Sequence, residues 1–413
     1  MAAMNKGERF IYDRVKFHPH LKRFLTDNYQ RLLSLVPRKD VVSTRPINVR
    51  EGYFFGFHDK CPWSPDNSKL LAHRFTDPLV MPGPLDEVEV GYFAGEDTHD
   101  FTTVGRTRAW NWQTGSMLQW LGNSPLLIFN DVDGDGHISK VVDSGGKVIR
   151  SLPGPIAAVS PDGYYALSYS FVRLHRRAPA YGYANGTEAE ENDPVPDGDG
   201  LYIMETGSGV MDRLFSVAEI ANTRWESSMA GSYHYFTHCL FSPSGKRFAF
   251  YHRWTKENGR TWTRLLSCGR NGNDLFIFPT SGVVTHMAWR DDETLLAYGS
   301  TEARGDHYYL FRDRTGESSV LGEKVFTSDG HPQFSPDGGK VITDTYPNRW
   351  RFQYLMMYDL DAGRRTILAR IHSPFKYRHD LRCDLHPRWD REGTMICFDS
   401  SQTGIRALCT MKL

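Results

Sequence analysis

Cysteine is scarce and scattered, with six in 413 residues, at positions 61, 239, 268, 383, 397 and 409, and no CxxC pair. That excludes a dense disulfide framework and leaves reduced thiols as the expectation. An excess of charge of either sign is lacking too: Lys plus Arg and Asp plus Glu both total 49. No broad field recruits nucleic acid or a membrane, so neither is expected as a partner, and an anionic ligand must be met by a local basic site. No apolar run reaches the ~18 residues that a membrane-spanning helix needs. The opening MAAMNKGERFIYDRVKFHPH lacks the apolar stretch of a secretory leader, so a cytoplasmic location is expected. A mature secreted chain stripped of its leader would look the same.

What is present is ordinary globular chemistry with many rings. Hydrophobic residues make up 40% and charged residues 24%, enough for a sizeable core. Aromatic residues reach 13%, which favours β structure and a surface able to grip sugars or other flat ligands. Residues 1–48 stand apart as a helical extension. Phe24, Leu25, Tyr29, Leu32, Leu33 and Leu35 recur at helical spacing, which predicts one or two amphipathic helices against the outside of the main body. His18 and His20 read as solvated or packing residues.

From about position 50 a unit repeats: an aromatic or aliphatic residue, a Ser-Pro-Asp-Gly-like turn, then a short apolar strand. Clear copies are WSPDNSKLLAH from Trp63, VSPDGYYALSY from Val159, FSPSGKRFAFY from Phe241 and FSPDGGKVITD from Phe334. Degenerate copies start at Trp120, Trp289 and Trp389, making seven. Strand, tight turn, strand, with further strands following in several units, predicts an all-β seven-bladed β-propeller over residues 49–413. The last unit is short, and PINVREGYFF near the start could supply its outer strand and close the ring. The long interval after Val159 holds RRAPAYGYANGTEAEENDPVPDGDG, residues 176–200, read as an inserted mobile loop by the top face with no apolar residues to dock it.

The tandem WSPD, VSPDG and FSPDGGK units resemble TolB-like propellers. THCLFSPSGKRFAFYHRW, THMAWR, DGHPQFSPDGGKVITDTYP and NWQTGSMLQWLG more narrowly resemble the oligogalacturonate lyase family and related propeller-type polysaccharide lyases. That resemblance implies a histidine base and a divalent metal held by His and Gln side chains in a central top cavity. By motif His238 matches the base, and His286 and His331 match metal ligands. The chain departs from the pattern where the family's HPH triplet reads His331-Pro332-Gln333, and where its upstream Gln falls near Ser328.

Independently, the units can be aligned on the aromatic before each turn. Three positions earlier stand His238, His286, His331 and His386 in four successive units, and Lys60, Met117 and Ile156 in the other three. The alignment predicts four imidazoles at one height around the channel mouth. They suit a divalent metal (Mn²⁺, Zn²⁺ or Fe²⁺, with Ca²⁺ an alternative) or general base work. A metal is expected at His286, His331 and His386, with Gln333 or water completing its shell, and His238 at the end of the arc is left to face substrate. His58 should lie nearby. The ends of the second strands offer His73, Arg74, Arg173, His252, Arg253, Tyr346, Asp344 and Asp399. Arginines there would bind a carboxylate, Tyr233, Tyr235 and Trp254 could stack on sugar rings, and His58, His252 or Tyr235 are substitutes for the base.

Two motifs read as decoys. DVDGDGHIS at 131–139 begins like a calcium loop but has Val142 where the closing Glu belongs, so a strand-joining turn is expected. Cys239 and Cys383 neighbour His238 and His386, but alternation points Cys239 away. The leading expectation is a polysaccharide lyase cleaving a uronic-acid-containing glycan by β-elimination, its partner an acidic oligosaccharide or polysaccharide. The alternatives are a non-catalytic carbohydrate- or protein-binding propeller, and a propeller glycoside hydrolase using Asp344 and Asp399.

Overall fold

The Ser-Pro-Asp-Gly turns are built from their own side chains. Ser160 Oγ donates to Asp162 at 2.5 Å, and Asp162 in turn accepts from the Tyr164 amide. Gly163 takes the left-handed conformation, φ +79°, that the turn requires. Ser335 and Asp337 repeat the same bonds. Each turn reverses an inner strand into the second strand of a blade.

The computed structural model describes residues 19–36, 41–76, 79–95 and 100–413, with the single positions 7, 10 and 14. Seven antiparallel sheets form a propeller. Their second strands are Lys69–Arg74, Leu127–Asp133, Tyr165–Ser168, Arg247–Thr255, Thr294–Thr301, Lys340–Thr343 and Met395–Ser400, in blades 1 to 7. Six of the seven repeats read from the sequence start on the last residue of a blade's inner strand, and the seventh starts on Trp63, which bridges Leu70 of blade 1. Asn48–Glu51 pairs with Ala407–Lys412 and completes blade 7, so the N-terminal side closes the ring as expected. Val41–Ser43 adds a fifth strand to blade 6, so the propeller reaches further towards the N-terminus than position 49.

The aromatic before each turn cements neighbouring blades. The indole N–H groups of Trp120, Trp289 and Trp389 donate to the carbonyls of Pro62, Leu240 and Gln333. Each acceptor immediately precedes the equivalent aromatic of the blade before. Ten residues after that aromatic comes a second latch, on four blades: His73, Asn130, Asp344 and Asp399. Each accepts from one or two backbone amides at the start of the next blade, at Ser116, Ile156, Leu385 with His386, and Phe55 with Gly56.

One helix, Pro19–Leu33, lies outside the ring. Polar groups hold it there: Asp27 to His379 at 2.9 Å and Gln30 to Arg351 at 3.1 Å. Phe24, Leu32 and Leu35 face solvent and Leu33 is half-buried, so only part of the apolar set expected to pack turns inward. His18 and the side chain of His20 lie outside what the structure describes.

The 176–200 insertion is docked, contrary to the expectation of a loop with nothing to hold it. A short helix, Phe171–Arg177, leads into it, Tyr183 stacks on Phe171 with ring centroids 4.4 Å apart, and Tyr181 reaches the central channel. Tyrosines supply the apolar area that the acidic composition concealed. Buried Arg173 ties the segment down through Glu188, Asp199 and the carbonyls of Glu190, Asp193 and His234. Arg173→Met should therefore destabilise the fold by about 3–5 kcal/mol, the usual cost of stranding buried charges. It should also open 184–198 to limited proteolysis, read against the wild type by urea unfolding and mass spectrometry of the fragments.

Candidate functional site

The inner strands change phase where they reach the top of the channel. The pairing register of blade 4 shifts between Thr237 and Leu240, and that of blade 5 between Thr285 and Met287. At these bulges His238 and His286 adopt φ +55° and +42°, and His386 on blade 7 adopts +45°. Left-handed backbone at a non-glycine residue is strained, and here it aims imidazoles into the channel. His331 joins them without that strain, and His58 arrives from the loop that opens blade 1.

The five rings form one cluster. The centroids of His286 and His331 lie 4.1 Å apart, those of His331 and His386 4.3 Å, and those of His58 and His331 5.5 Å. Phe57 packs against His238 at 4.7 Å and His386 at 5.0 Å. Each Nδ1 meets an oxygen: Thr237 Oγ1 for His238, Asp329 for His286, Asp344 for His331, and the carbonyls of Gly56 for His386 and Pro332 for His58. Such anchoring fixes ring orientation and leaves Nε2 to face the site. The Nε2 atoms of His58, His331 and His386 are buried and have no hydrogen-bond partner, as is Oδ1 of Asp384.

Burial, reinforced by neighbouring positive groups, holds His58, His238 and His386 well below the ordinary histidine range. His286 is also lowered by burial, which Asp329 only partly offsets. His331 is raised, because Asp344 overcomes the burial penalty. His238 is the most accessible of the five, 9% exposed against 0–5% for the rest.

Not all of the expected site residues reach this cluster. His58, His238, His286, His331, His386 and Tyr346 do; the Tyr346 hydroxyl lies 3.4 Å from His286 Nε2. Arg253 flanks it, one guanidinium nitrogen on Thr263, its charge the largest of those that depress His238. Gln333 does not belong to it. Its amide joins blades, donating to the His58 carbonyl at 3.1 Å and accepting from the Trp389 amide at 2.6 Å. Among the described residues the group able to hold a metal is instead His331, Asp384 and His386, with ligand atoms within 4.8 Å of one another. This nitrogen-rich set suits a transition metal such as Mn²⁺ or Zn²⁺ and not Ca²⁺, which takes six to eight oxygens.

The remaining candidates are structural. His73 stacks on Phe54 and accepts from the Ser116 amide, and its ring fills the space where a Cβ on Gly115 would lie. Arg74 is paired with Glu89, and Arg173 with the insertion's acids. His252 bonds His234 at 2.9 Å and accepts from Arg264. Tyr235 bonds Thr255 inside the core, Trp254 is fully buried, and Tyr233 lies under Arg173. None of these rings is open to a sugar. Asp344 and Asp399, the pair that hydrolysis would need, are both occupied as interblade latches. Asp131 and Asp133 lie in a β-hairpin, with Asp131 paired to Lys140, and all six cysteines are free thiols.

Sequence reasoning missed Phe57, Tyr181, Asp329, Arg382 and Asp384. Tyr181 contacts His238 with centroids 5.2 Å apart and accepts from Arg382, which also pairs with Asp384. The motif that could have found the acids is a repeated D-x-H-P-x-aromatic, from Asp329 to Phe334 and from Asp384 to Trp389.

The structural histidines predict acid lability. Burial lowers His73 to about 3 and His234 to about 4, from 6.5. The unfolded chain binds these protons first, so the neutral buried forms stabilise the fold above pH 6.5. That contribution is lost as the pH falls towards the folded values, by up to about 1.4 kcal/mol per pH unit for each group. Urea midpoints measured from pH 7 to 4 should fall steeply, and a His73→Gln, His234→Gln double variant should show a shallower pH slope.

Comparisons with known proteins agree on the architecture. No protein-family model matches the chain, and no curated protein matches its sequence. Among solved structures it is similar to an oligogalacturonate lyase in complex with manganese, at 16% identity and TM-score 0.63, over 91% of this chain and 95% of that one. It is also similar to an oligogalacturonate lyase from Vibrio parahaemolyticus, at 12% identity and TM-score 0.59, over 91% and 98% of the two chains. The seven-bladed fold is thus one it shares with these lyase structures. No helix among the described residues is long and apolar enough to cross a membrane.

Proposed function

We propose that this chain is a lyase that cleaves a uronate-containing oligosaccharide by β-elimination at the histidine cluster. The observation that carries this reading is the convergence of five imidazoles whose Nδ1 atoms are fixed on oxygens, leaving their other nitrogens to face one channel mouth. The shared fold with oligogalacturonate lyases supports it.

Elimination removes the C5 proton beside the uronate carboxylate and expels the oxygen at C4. It needs a neutral base, neutralisation of the carboxylate, and a proton for the leaving oxygen. His238 is the base: burial and the Arg253 charge keep it unprotonated at neutral pH, and it is the most accessible of the five. Arg253 has no carboxylate partner among the described residues and so receives the substrate carboxylate. Neutralising Arg253 in this way raises the basicity of His238 as substrate binds. Tyr346, whose hydroxyl burial keeps protonated, donates to the leaving oxygen. A divalent metal beside His331, Asp384 and His386 would draw further charge from the carboxylate and acidify the C5 proton.

The test is incubation with a panel of uronate oligosaccharides while following the ultraviolet absorbance of the unsaturated product. A rise supports elimination. New reducing ends without absorbance would mean hydrolysis, and saturable binding with neither would mean a binding module. In the active enzyme, Arg253→Met should lower kcat/KM by about 10–100-fold, the worth of a charged hydrogen bond. It should also move the acid limb of the pH profile up towards 6.5, because His238 loses the cation that depresses it most.

A further inference from the structure

The helix Pro19–Leu33 is amphipathic, but it is mounted the wrong way round for packing. Asp27, Gln30 and Leu33 lie one turn apart and are its half-buried face, with Asp27 bonded to His379 and Gln30 to Arg351. At 3.6 residues per turn Leu21, Phe24, Leu25 and Leu32 fall on the opposite side, and Leu35 and Val36 continue that side past the helix end. These six are between 38% and 76% exposed. An apolar stripe of this size turned away from the body marks an interaction surface. The balanced charge of the whole chain also conceals a segregation. Residues 1–40 hold nine Lys or Arg and four Asp or Glu, whereas residues 41–413 hold 40 and 45. Arg23 and Arg31 are exposed beside the stripe, and Asp27, the helix's one acid, is engaged with the body.

We propose that the outward face of this helix seats the protein on the surface of an anionic lipid bilayer. Leucine and phenylalanine along one side, with basic residues and no free acid around them, are what an interfacial helix presents to acyl chains and charged headgroups. The charge segregation orients the molecule, since an anionic surface attracts the basic segment and repels the acidic propeller. A second copy of the helix is a poorer occupant. Pairing two such faces would bring arginines together with no exposed acid of the helix to meet them. A glycan is poorer too, because four leucines and a valine offer it no flat ring to stack on. The helix rests on the loops after Thr343 and after His372, which begin at Asp344 and lead to Asp384 and His386. It therefore sits on the same end of the propeller as the histidine cluster, and a seated molecule holds that end at the membrane.

The proposal does not depend on the elimination reading, since binding to lipid needs no substrate. Full-length protein is mixed with vesicles of phosphatidylcholine, alone or with phosphatidylglycerol, and sedimented at low and high salt. The expected result is co-sedimentation with the anionic vesicles that weakens as salt rises, and little with the neutral ones. Arg23→Glu with Arg31→Glu should lower partitioning at least about 25-fold, because each basic residue near such a surface is worth about fivefold. Phe24→Asp with Leu32→Asp should lower it at least about a hundredfold, by removing two side chains from the apolar layer. All four positions are exposed, circular dichroism checks that the variants fold, and the wild-type result stands whatever they do. No binding to anionic vesicles, equal binding to both kinds, or binding kept by both variant pairs would overturn the proposal. Light scattering without lipid should give a monomer. A dimer that Phe24→Asp with Leu32→Asp disperses would overturn the proposal in favour of a second copy. Retention on an acidic polysaccharide but not on vesicles would overturn it in favour of a glycan. Vesicle binding by a protein inactive on every uronate would leave the proposal standing and the lyase reading refuted, and elimination without vesicle binding would do the reverse.

Discussion

Replacing His238 with alanine is expected to cut elimination by about 10²–10⁴-fold, the usual worth of a positioned general base, while leaving metal content unchanged. Its ring is held by Thr237 and flanked by Phe57 and Tyr181, and its nitrogens are not among the ligand atoms that come together at His331, Asp384 and His386. Alanine removes the imidazole but keeps the left-handed backbone, so some loss of stability accompanies the loss of rate. His238→Gly separates the two effects. Glycine accepts φ +55° without strain, and that variant should be equally inactive but more stable than the alanine one. If the ion leaves with the imidazole, His238 is a ligand, and of the substitutes considered from sequence only His58 still faces the cluster. His252 and Tyr235 are committed to Arg264 and Thr255. Unchanged turnover on a validated substrate would remove His238 from the mechanism.

The sequence made the periodic part of this molecule legible. Ser-Pro-Asp-Gly turns form from their own side chains, so they signal the same thing wherever they occur, and the aromatic before each sets the register for everything after it. Counting three residues back located four of the five clustered histidines, because the bulges at His238 and His286 recur at the same place in the unit. Counting ten forward would have shown His73 and Asp344 to be equivalent positions, and hence latches, but that regularity is visible only once the amides they accept from are known. The strand-end residues were illegible for a different reason. Their place at the strand ends suggests Tyr235 and Trp254 for the site, but the fold buries both rings, with Tyr235 bonded to Thr255 and Trp254 to Ser228. Arg74 and Arg173 look free in sequence, since Glu89, Glu188 and Asp199 become their partners only through the fold. The insertion concealed its anchors in Tyr181 and Tyr183, which composition counts as a small minority among acids, prolines and glycines.

Asp344 is where the fold and the site meet, and Asp344→Ala should be among the most destabilising single changes in the propeller. Its carboxylate accepts from four donors while itself buried: the His331 amide and Nδ1, both at 2.8 Å on one oxygen, and the Leu385 and His386 amides, both at 3.1 Å on the other. It therefore holds two of the proposed metal ligands and joins blade 6 to blade 7. Alanine strands all four donors where water has little access, and removes the charge that raises His331. Breaking a buried charge-assisted network of this kind costs about 3–5 kcal/mol. Asp344→Asn has nearly the same volume and one carbonyl acceptor, so it should recover part of that loss. Its amide N–H groups, however, would face donors already on the other oxygen. Asp399 makes a parallel latch between blades 7 and 1, accepting from the Phe55 and Gly56 amides with Arg388 beside it, but it touches no clustered histidine side chain. Urea unfolding and metal content measured on Asp344→Ala, Asp344→Asn and Asp399→Asn would separate the two roles. A latch alone predicts that both asparagine variants lose stability and keep the ion. Positioning of His331 and His386 predicts that ion affinity falls in Asp344→Asn and holds in Asp399→Asn.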